Sequence, residues 1–276
     1  MYEAWCATLY FVELIEAWKG ISKPVVGMLH LQPLPGSPRR GIDLESVRTA
    51  LWRDAEALVE AGVNGLMLEN FGDHPFFPSE VPPWTTAHMT ALAVEVRRRF
   101  DVPLGINVLR NDGRAALAVA HAAQADFIRV NVLAGVRVTD QGIVQGIAHE
   151  LLRDRSLLGA ERIRILADVN VKHSAPLGTV ALEDEVVDLI ARASADGLIV
   201  SGSATGKPTD IEELRRVKAV SGDTPVWVGS GVDLDRLHTC LPLADGFIVG
   251  SYFKVDGLVG NPVDTDRVRA LMKKIR

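Results

Sequence analysis

The decapeptide ADVNVKHSAP at 167–176 places a carboxylate, an amide, an amine and an imidazole within a few residues. Side chains alternate along a strand, so Asp168, Asn170 and Lys172 would share one face. Facing into a barrel, that row could hold a metal ion, abstract a proton or form an imine. An internal Asp168–Lys172 ion pair with no chemistry would also fit. Arg164 and Leu166 precede the row on the same face and mix charge with apolar character, so the phase stays open. His173 falls one residue out of phase, which assigns it to the loop.

Polar residues also end the other apolar runs. His30 closes the run at 24–31, Glu69 the run at 65–70, Asn107 the run at 103–109, and Arg129 with Asn131 the run at 126–131. Turn chemistry accounts for Gly72, Asp73 and Asp112, but not for amides, carboxylates and an imidazole on the last strand residues. For His30, a ligand contact and a core histidine are equally open readings. His74, His88, His121, His149 and His238 lie in a loop or in helical stretches and are not singled out.

SGSATGKPTD at 201–210 looks like a phosphate loop but fails the Walker pattern. That pattern needs four residues between its glycines and a hydroxyl residue after the lysine. Three residues separate Gly202 from Gly206, and Pro208 follows Lys207. The stretch reads better as a barrel rim: Gly202, Ser203, Thr205 and Gly206 follow one strand, Gly229, Ser230 and Gly231 the next, and Gly250 and Ser251 the last. Consecutive glycine-rich strand ends let backbone N–H groups converge on a phosphate beside a helix N-terminus. Plain turn glycines are the alternative. Thr209 and Glu212 fit a capping box that starts the following helix.

The elements that must position these groups alternate strictly. Short apolar runs at about 24–31, 65–70, 103–109, 126–131, 162–171, 197–202, 225–231 and 246–251 are separated by helical patterns, with a long connection before the fifth run. The runs are apolar on both faces, as covered parallel strands require. VNGLMLEN, ADFIRVN, ADGLIVSG and ADGFIVGS repeat one pattern at every second strand, as a closed ring would produce. The expectation is an α/β fold, a (β/α)₈ TIM barrel over 23–276 with its site at the C-terminal strand ends. A doubly wound open sheet is the alternative, but LQPLPGSP after the first strand lacks its glycine turn. Residues 1–22 read as a helical extension outside the barrel, with Leu9, Val12 and Ile15 at helical spacing. The long loop NFGDHPFFPSEVPPW reads as a lid, binding loop or subunit contact.

The chain has 276 residues, is 47% hydrophobic and 24% charged, and carries a formal net charge of -5. Nothing in that balance favours nucleic acid, and no apolar run spans a membrane. Cys6 and Cys240 form no disulfide framework, which fits a reducing, cytoplasmic setting. The N-terminal helix leaves peripheral membrane association or a dimer contact open.

KPVVGMLHLQPLPGSP, GLMLENFGDHPF, GINVLRND, DFIRVNVLAG, ADVNVKHS, VSGSATGKPTD and VGSGV together resemble the BtpA family from about residue 23 onward. The resemblance implies a ribulose-phosphate-binding type of barrel. Its members are linked by name to photosystem I biogenesis or classed as enzymes of unassigned reaction.

The expected function is an enzyme of lyase, aldolase or isomerase type acting on a small phosphorylated metabolite. The alternative is a non-catalytic assembly factor, and a homo-oligomer is expected in either case. Asp168 and Lys172 are assigned the chemistry, with Glu69, Asn107 and Asn131 beside them. His30, Arg129, Asn170 and His173 are assigned to substrate. A divalent metal is compatible with Asp168 and Glu69.

Overall fold

Runs that are apolar on both faces form parallel strands, because only a sheet covered on both sides hides them from water. The structure, a computed structural model, describes residues 14–39, 43–202 and 209–276. Its strands are β1 (Val25–His30), β2 (Gly65–Glu69), β3 (Leu104–Asn107), β4 (Phe127–Val130), β5 (Val136–Thr139), β6 (Gly142–Gln145), β7 (Arg164–Val169), β8 (Ser174–Pro176), β9 (Gly197–Val200), β10 (Val226–Val228) and β11 (Gly246–Val249). Eight of them close a parallel barrel in the order β1-β2-β3-β4-β7-β9-β10-β11, and β11 pairs back onto β1. Helices α1 (Leu44–Glu60), α2 (Pro83–Arg99), α3 (Gly113–Ala123), α4 (Ala148–Leu157), α5 (Leu182–Val187), α6 (Ile211–Val220), α7 (Leu237–Cys240) and α8 (Thr265–Ile275) complete the fold. The expected (β/α)₈ barrel is therefore present.

The repeated pattern before every second strand has a physical cause. Asn64, Asp126, Asp196 and Asp245 each accept, through the side chain, the backbone N–H of Val25, Leu104, Ile165 or Val226 at 2.8–3.0 Å. Their own backbone N–H groups donate to the carbonyls of those same four residues at 2.7–2.9 Å. Each pair of strands is thus tied by two reciprocal bonds at the bottom of the barrel. These bonds satisfy strand-start donors that a buried sheet end would otherwise leave unpaired.

Within the barrel, inward side chains stack in layers. Val26, Met28, Met67, Phe127, Leu166, Ile199, Trp227 and Ile248 form a single apolar cluster. Bulky rings are accommodated by glycines on neighbouring strands. A Cβ on Gly105 would lie 2.2 Å from the Phe127 ring, and one on Gly246 would lie 2.6 Å from Trp227. The layer above is polar and contains Glu69, Asn107, Arg129 and Asp168, all buried. In β7, Arg164, Leu166 and Asp168 alternate with the outward-packed Ile165 and Ala167, which settles the phase left open by the sequence.

Two expectations about the chain path need correction. The N-terminal segment does not lie wholly outside the barrel. Ile15 and Trp18 are buried in the interior cluster, and the Trp18 ring lies 5.0 Å from Trp227 and 5.7 Å from Phe127. Its Nε1 donates to the Asn64 carbonyl at 2.7 Å. The residues 14–18 therefore plug the bottom of the barrel, and the boundary at residue 22 separates nothing physically. The expected helix otherwise falls on residues 1–13, outside the described residues.

The long connection before the fifth barrel strand holds a β-hairpin as well as the helix α4. β5 and β6 form an antiparallel hairpin, and β8 adds to its other edge, giving a three-stranded sheet in the order β6-β5-β8. The capping box at Thr209 also moves by one residue. Asp210 caps α6 by accepting from Glu212 N at 2.9 Å, while Thr209 Oγ1 donates to the Ser230 carbonyl at 2.9 Å.

Candidate active site

The polar layer gathers at the C-terminal ends of β1–β4 and β7, and one ion pair organises it. Arg129 grips Asp168 in a fork, with Nε 3.1 Å from Oδ2 and Nη2 2.8 Å from Oδ1. Asn131 Nδ2 donates to Asp168 Oδ2 at 2.6 Å, and Asn107 Nδ2 donates to Asn131 Oδ1 at 3.2 Å and to the Arg129 carbonyl at 3.0 Å. Ser201 Oγ lies at the margin of hydrogen bonding, 3.5 Å from Asp168 Oδ1. The Asp168 side chain is fully enclosed, and both of its oxygens are occupied. Such a paired, desolvated carboxylate holds its partners in place rather than offering a lone pair to a ligand.

Glu69 contrasts with it. Its carboxyl is buried yet accepts no hydrogen bond among the described residues; its nearest basic atom is His30 Nε2, 3.8 Å away. Burial pushes its pKa above the usual carboxylate range, although Arg129 and Lys172 pull the other way. His30 is held well below the usual histidine range by burial and by the charges of Lys254, Lys172 and Arg129, so it is neutral at pH 7. Its ring lies 4.9 Å from Phe71, and Nδ1 has no partner among the described residues. Asn107 Oδ1 is likewise buried and unpartnered.

Lys172 also reaches this layer, but not by the alternation read from the sequence. β7 ends at Val169, and Asn170 takes a left-handed conformation with φ 48°. That turn carries Asn170 out of the site: it is exposed, accepts from Arg137 Nη1 at 3.0 Å and points its amide at Glu213 3.3 Å away. The placement of Asn170 beside Asp168 and Lys172 is thus corrected, because strand periodicity stops where the backbone reverses. Lys172 then turns back over the barrel mouth. Its Nζ has no hydrogen-bond or ion-pair partner among the described residues. Burial, followed by the nearby Arg129 charge, lowers its pKa. His173 follows with φ 56° and is exposed at the cavity edge.

Two adjoining cavities meet over these groups, sharing Glu69, Phe71, Arg129 and Lys172 in their walls. The larger, about 490 Å³, is walled by Phe71, His74, Phe76, Arg110 and Asp140. The narrower, about 30 Å³, runs toward His30, Gly229–Gly231 and Gly250–Ser251. Gly231 has φ 63°, a conformation glycine adopts without strain. Gly250 is small for a packing reason: a Cβ there would lie 2.8 Å from His30 Cε1. Short helical segments follow these strand ends, Ser251–Phe253 and α7, in place of long helix N-termini. Gly202 is buried at the end of β9, while Ser203, Thr205 and Gly206 lie outside the described residues.

The geometry adds residues that the sequence reading passed over. Arg110 follows β3, is buried and donates to the Lys172 carbonyl, so it braces the lysine loop. His74 sits edge-on to Phe71 and Phe76, at centroid distances of 6.1 and 5.8 Å, and lines the cavity. Only the position of Arg110 just past an apolar strand hinted at its role; no spacing marked the aromatic wall.

The donor set does not suit the divalent metal considered for Asp168 and Glu69. A guanidinium and an amide occupy both Asp168 oxygens. Among the described residues no three His, Cys, Asp or Glu side chains are placed to hold an ion. No described helix is long and apolar enough to cross a membrane.

Comparisons with known proteins agree with this architecture. The family model described as BtpA family matches residues 21–276. An uncharacterized protein of Thermococcus kodakarensis is 49% identical over 251 residues, covering 91% of this chain and 94% of its own. The photosystem I biogenesis protein BtpA of Synechocystis is 45% identical over 250 residues, covering 91% and 87%. In fold, the chain is similar to phosphoribosyl anthranilate isomerase from Thermus thermophilus, with a TM-score of 0.54 at 12% identity, covering 92% of this chain and 100% of that one. Through the family model and these relatives, the chain belongs to the BtpA family.

Proposed function

We propose that this barrel is an enzyme that moves protons on a small phosphorylated metabolite, in a lyase, aldolase or isomerase type of reaction. One observation carries the reading. Glu69 and Lys172 are an acid and a base placed in the same two cavities, and neither has a hydrogen-bond partner among the described residues. Unpaired polar groups of this kind cost stability, and a fold keeps them where they act on a ligand.

The roles differ from the sequence expectation in one respect. Glu69, with its raised pKa, is the proton-transfer group; Asp168 positions Arg129 and Asn131 from below. Arg129 presents a fixed positive charge to the substrate. The phosphate would lie at the narrow end, against Gly229–Gly231 and Gly250–Ser251. Phosphate binding after the last two strands is common in barrels, and the name of the Thermus neighbour is that of an enzyme for a phosphoribosyl compound.

The test is a substitution at the narrow end. Ser251→Asp puts a negative charge where the phosphate would sit, at a half-buried position on the cavity wall. Calorimetric titration with inorganic phosphate and ribose 5-phosphate should show binding weakened about tenfold or more, the size a nearby like charge produces. Equal binding by parent and variant would remove the phosphate assignment. A photosystem assembly role, suggested by the name of the Synechocystis relative, is the second reading; a scaffold has no need of the anion pocket and would tolerate Ser251→Asp.

A further inference from the structure

We infer that Lys172 is an imine-forming amine, and that the substrate therefore carries an aldehyde or ketone as well as a phosphate. This rests on the anion-pocket reading above and names the second functional group the site would take. The inference starts from what Lys172 lacks. Lys254, which is fully buried, is held by Asp54 with Nζ 2.5 Å from Oδ2. Lys172 has no such partner among the described residues, and lies between two cavities rather than inside packed structure.

Its surroundings favour the free amine. Burial disfavours its charged form most, the charges of Arg129 and Arg110 act the same way, and Glu69 and Asp168 oppose them. The negative charge of Asp168 is already committed to Arg129. A desolvated amine whose charged form is disfavoured is the usual setting for a lysine that attacks carbonyls, because its neutral form is more populated. A lysine serving only to attract an anion would gain from the opposite environment.

The neighbouring groups complete the step. The Nζ lone pair adds to the carbonyl carbon, and the carbonyl oxygen takes the proton of the Glu69 carboxyl. The new ammonium returns a proton to the Glu69 carboxylate, leaving a carbinolamine. Glu69 then protonates the hydroxyl, which leaves as water while the nitrogen lone pair forms a protonated C=N bond. Glu69 is left as a carboxylate beside a carbon whose adjacent C–H bond the iminium has acidified. The same group can therefore take that proton, the opening move of an aldolase or isomerase. Arg129 stays a guanidinium throughout, held by Asp168.

Reductive trapping tests the inference. The full chain is incubated with dihydroxyacetone phosphate, and separately with glycolaldehyde, which has no phosphate. Sodium borohydride is then added and modified lysines are located by peptide mass spectrometry. Lys172 should be reduced onto the triose phosphate at least about tenfold faster than any surface lysine, as a larger free-amine fraction predicts. Inorganic phosphate should suppress it, and Lys172→Arg should abolish it while keeping the cation and the fold. If dihydroxyacetone phosphate binds by calorimetry but Lys172 reacts no faster than surface lysines with either carbonyl, the imine assignment is overturned and the anion pocket stands. If glycolaldehyde selects Lys172 while the phosphate gives no advantage, the amine assignment stands and the pocket falls. Selective labelling of Lys207 instead of Lys172 would also overturn it.

Discussion

The two ends of this barrel treat charge in opposite ways. At the bottom, Asp126, Asp196 and Asp245 each close a strand pair and are each held by a basic side chain, Arg97, Arg155 or Lys218. Asn64 makes the same strand closure at the first position with no charge at all. At the top, a single carboxylate, Asp168, takes the organising role, while His30 Nδ1 and Asn107 Oδ1, like the Glu69 carboxyl and the Lys172 amine, have no hydrogen-bond partner among the described residues. The bottom uses its polar groups to hold strands in register. The top leaves several of its groups facing a cavity instead. The difference shows that burial alone does not identify function in a barrel; the informative quantity is how many partners a buried group already has.

One isosteric change, carboxylate to amide, tests this comparison at three positions. The largest effect is expected for Asp168→Asn. It leaves the Arg129 guanidinium, 3% exposed, without its hydrogen-bonded counter-charge, and breaking a buried pair in this way costs about 3–5 kcal/mol. Urea unfolding should show that loss. A free general base would behave otherwise, losing turnover while keeping stability. Asp196→Asn comes second. The amide keeps the Ile165 N–H acceptor, as Asn64 does for Val25, and gives up only the partly exposed pairs with Arg155 and Arg164. The expected cost is about 1 kcal/mol, with phosphate affinity unchanged. A loss at Asp196 as large as at Asp168 would mean that the two ends are not built differently.

Much of the barrel is legible in the sequence, because β-periodicity and strand-start residues are local signals. The VNG, ADF and ADG starts marked the second, fourth, sixth and eighth barrel strands, and the structure supplies their cause in side-chain closures. The site was legible in composition but not in path. Glu69, Asn107, Arg129, Asn131 and Asp168 reach the mouth simply by ending strands. Lys172 reaches it through a reversal at Asn170 that no period-two count contains. The β5–β6 hairpin was visible as VRVT and GIVQ around a turn at Asp140–Gly142, but a long connection masks so short an alternation. The Trp18 plug was hidden for another reason: an apolar stripe looks the same whether it packs outside a barrel or enters its end. The pairing state of each carboxylate depends on three-dimensional neighbours, and sequence could not rank Asp168 against Glu69.

Glu69→Gln is the third member of the series, with the smallest effect on stability and the opposite sign. Burial holds the Glu69 carboxyl above the usual carboxylate range, so the folded state binds its proton more tightly than the unfolded chain does. A raised acid of this kind adds stability that is fully present below the unfolded value, near 4.5, and is lost as pH rises through the folded value. The parent should therefore match Glu69→Gln near pH 4 and fall progressively behind it as pH rises. Denaturant midpoints measured across that range check the sign, and a variant that loses stability at pH 7 would show that Glu69 has a partner holding its charge. The functional effect should run the other way. The substituted amide cannot carry the proton assigned to Glu69 in the proposed step, so imine formation at Lys172 should slow by about a hundredfold, the usual loss on removing a positioned acid or base. Phosphate affinity should hold or rise slightly, since a carboxyl beside the anion has been neutralised. A variant that is more stable and binds the anion unimpaired, yet traps a carbonyl slowly, would separate positioning from chemistry at this end of the barrel.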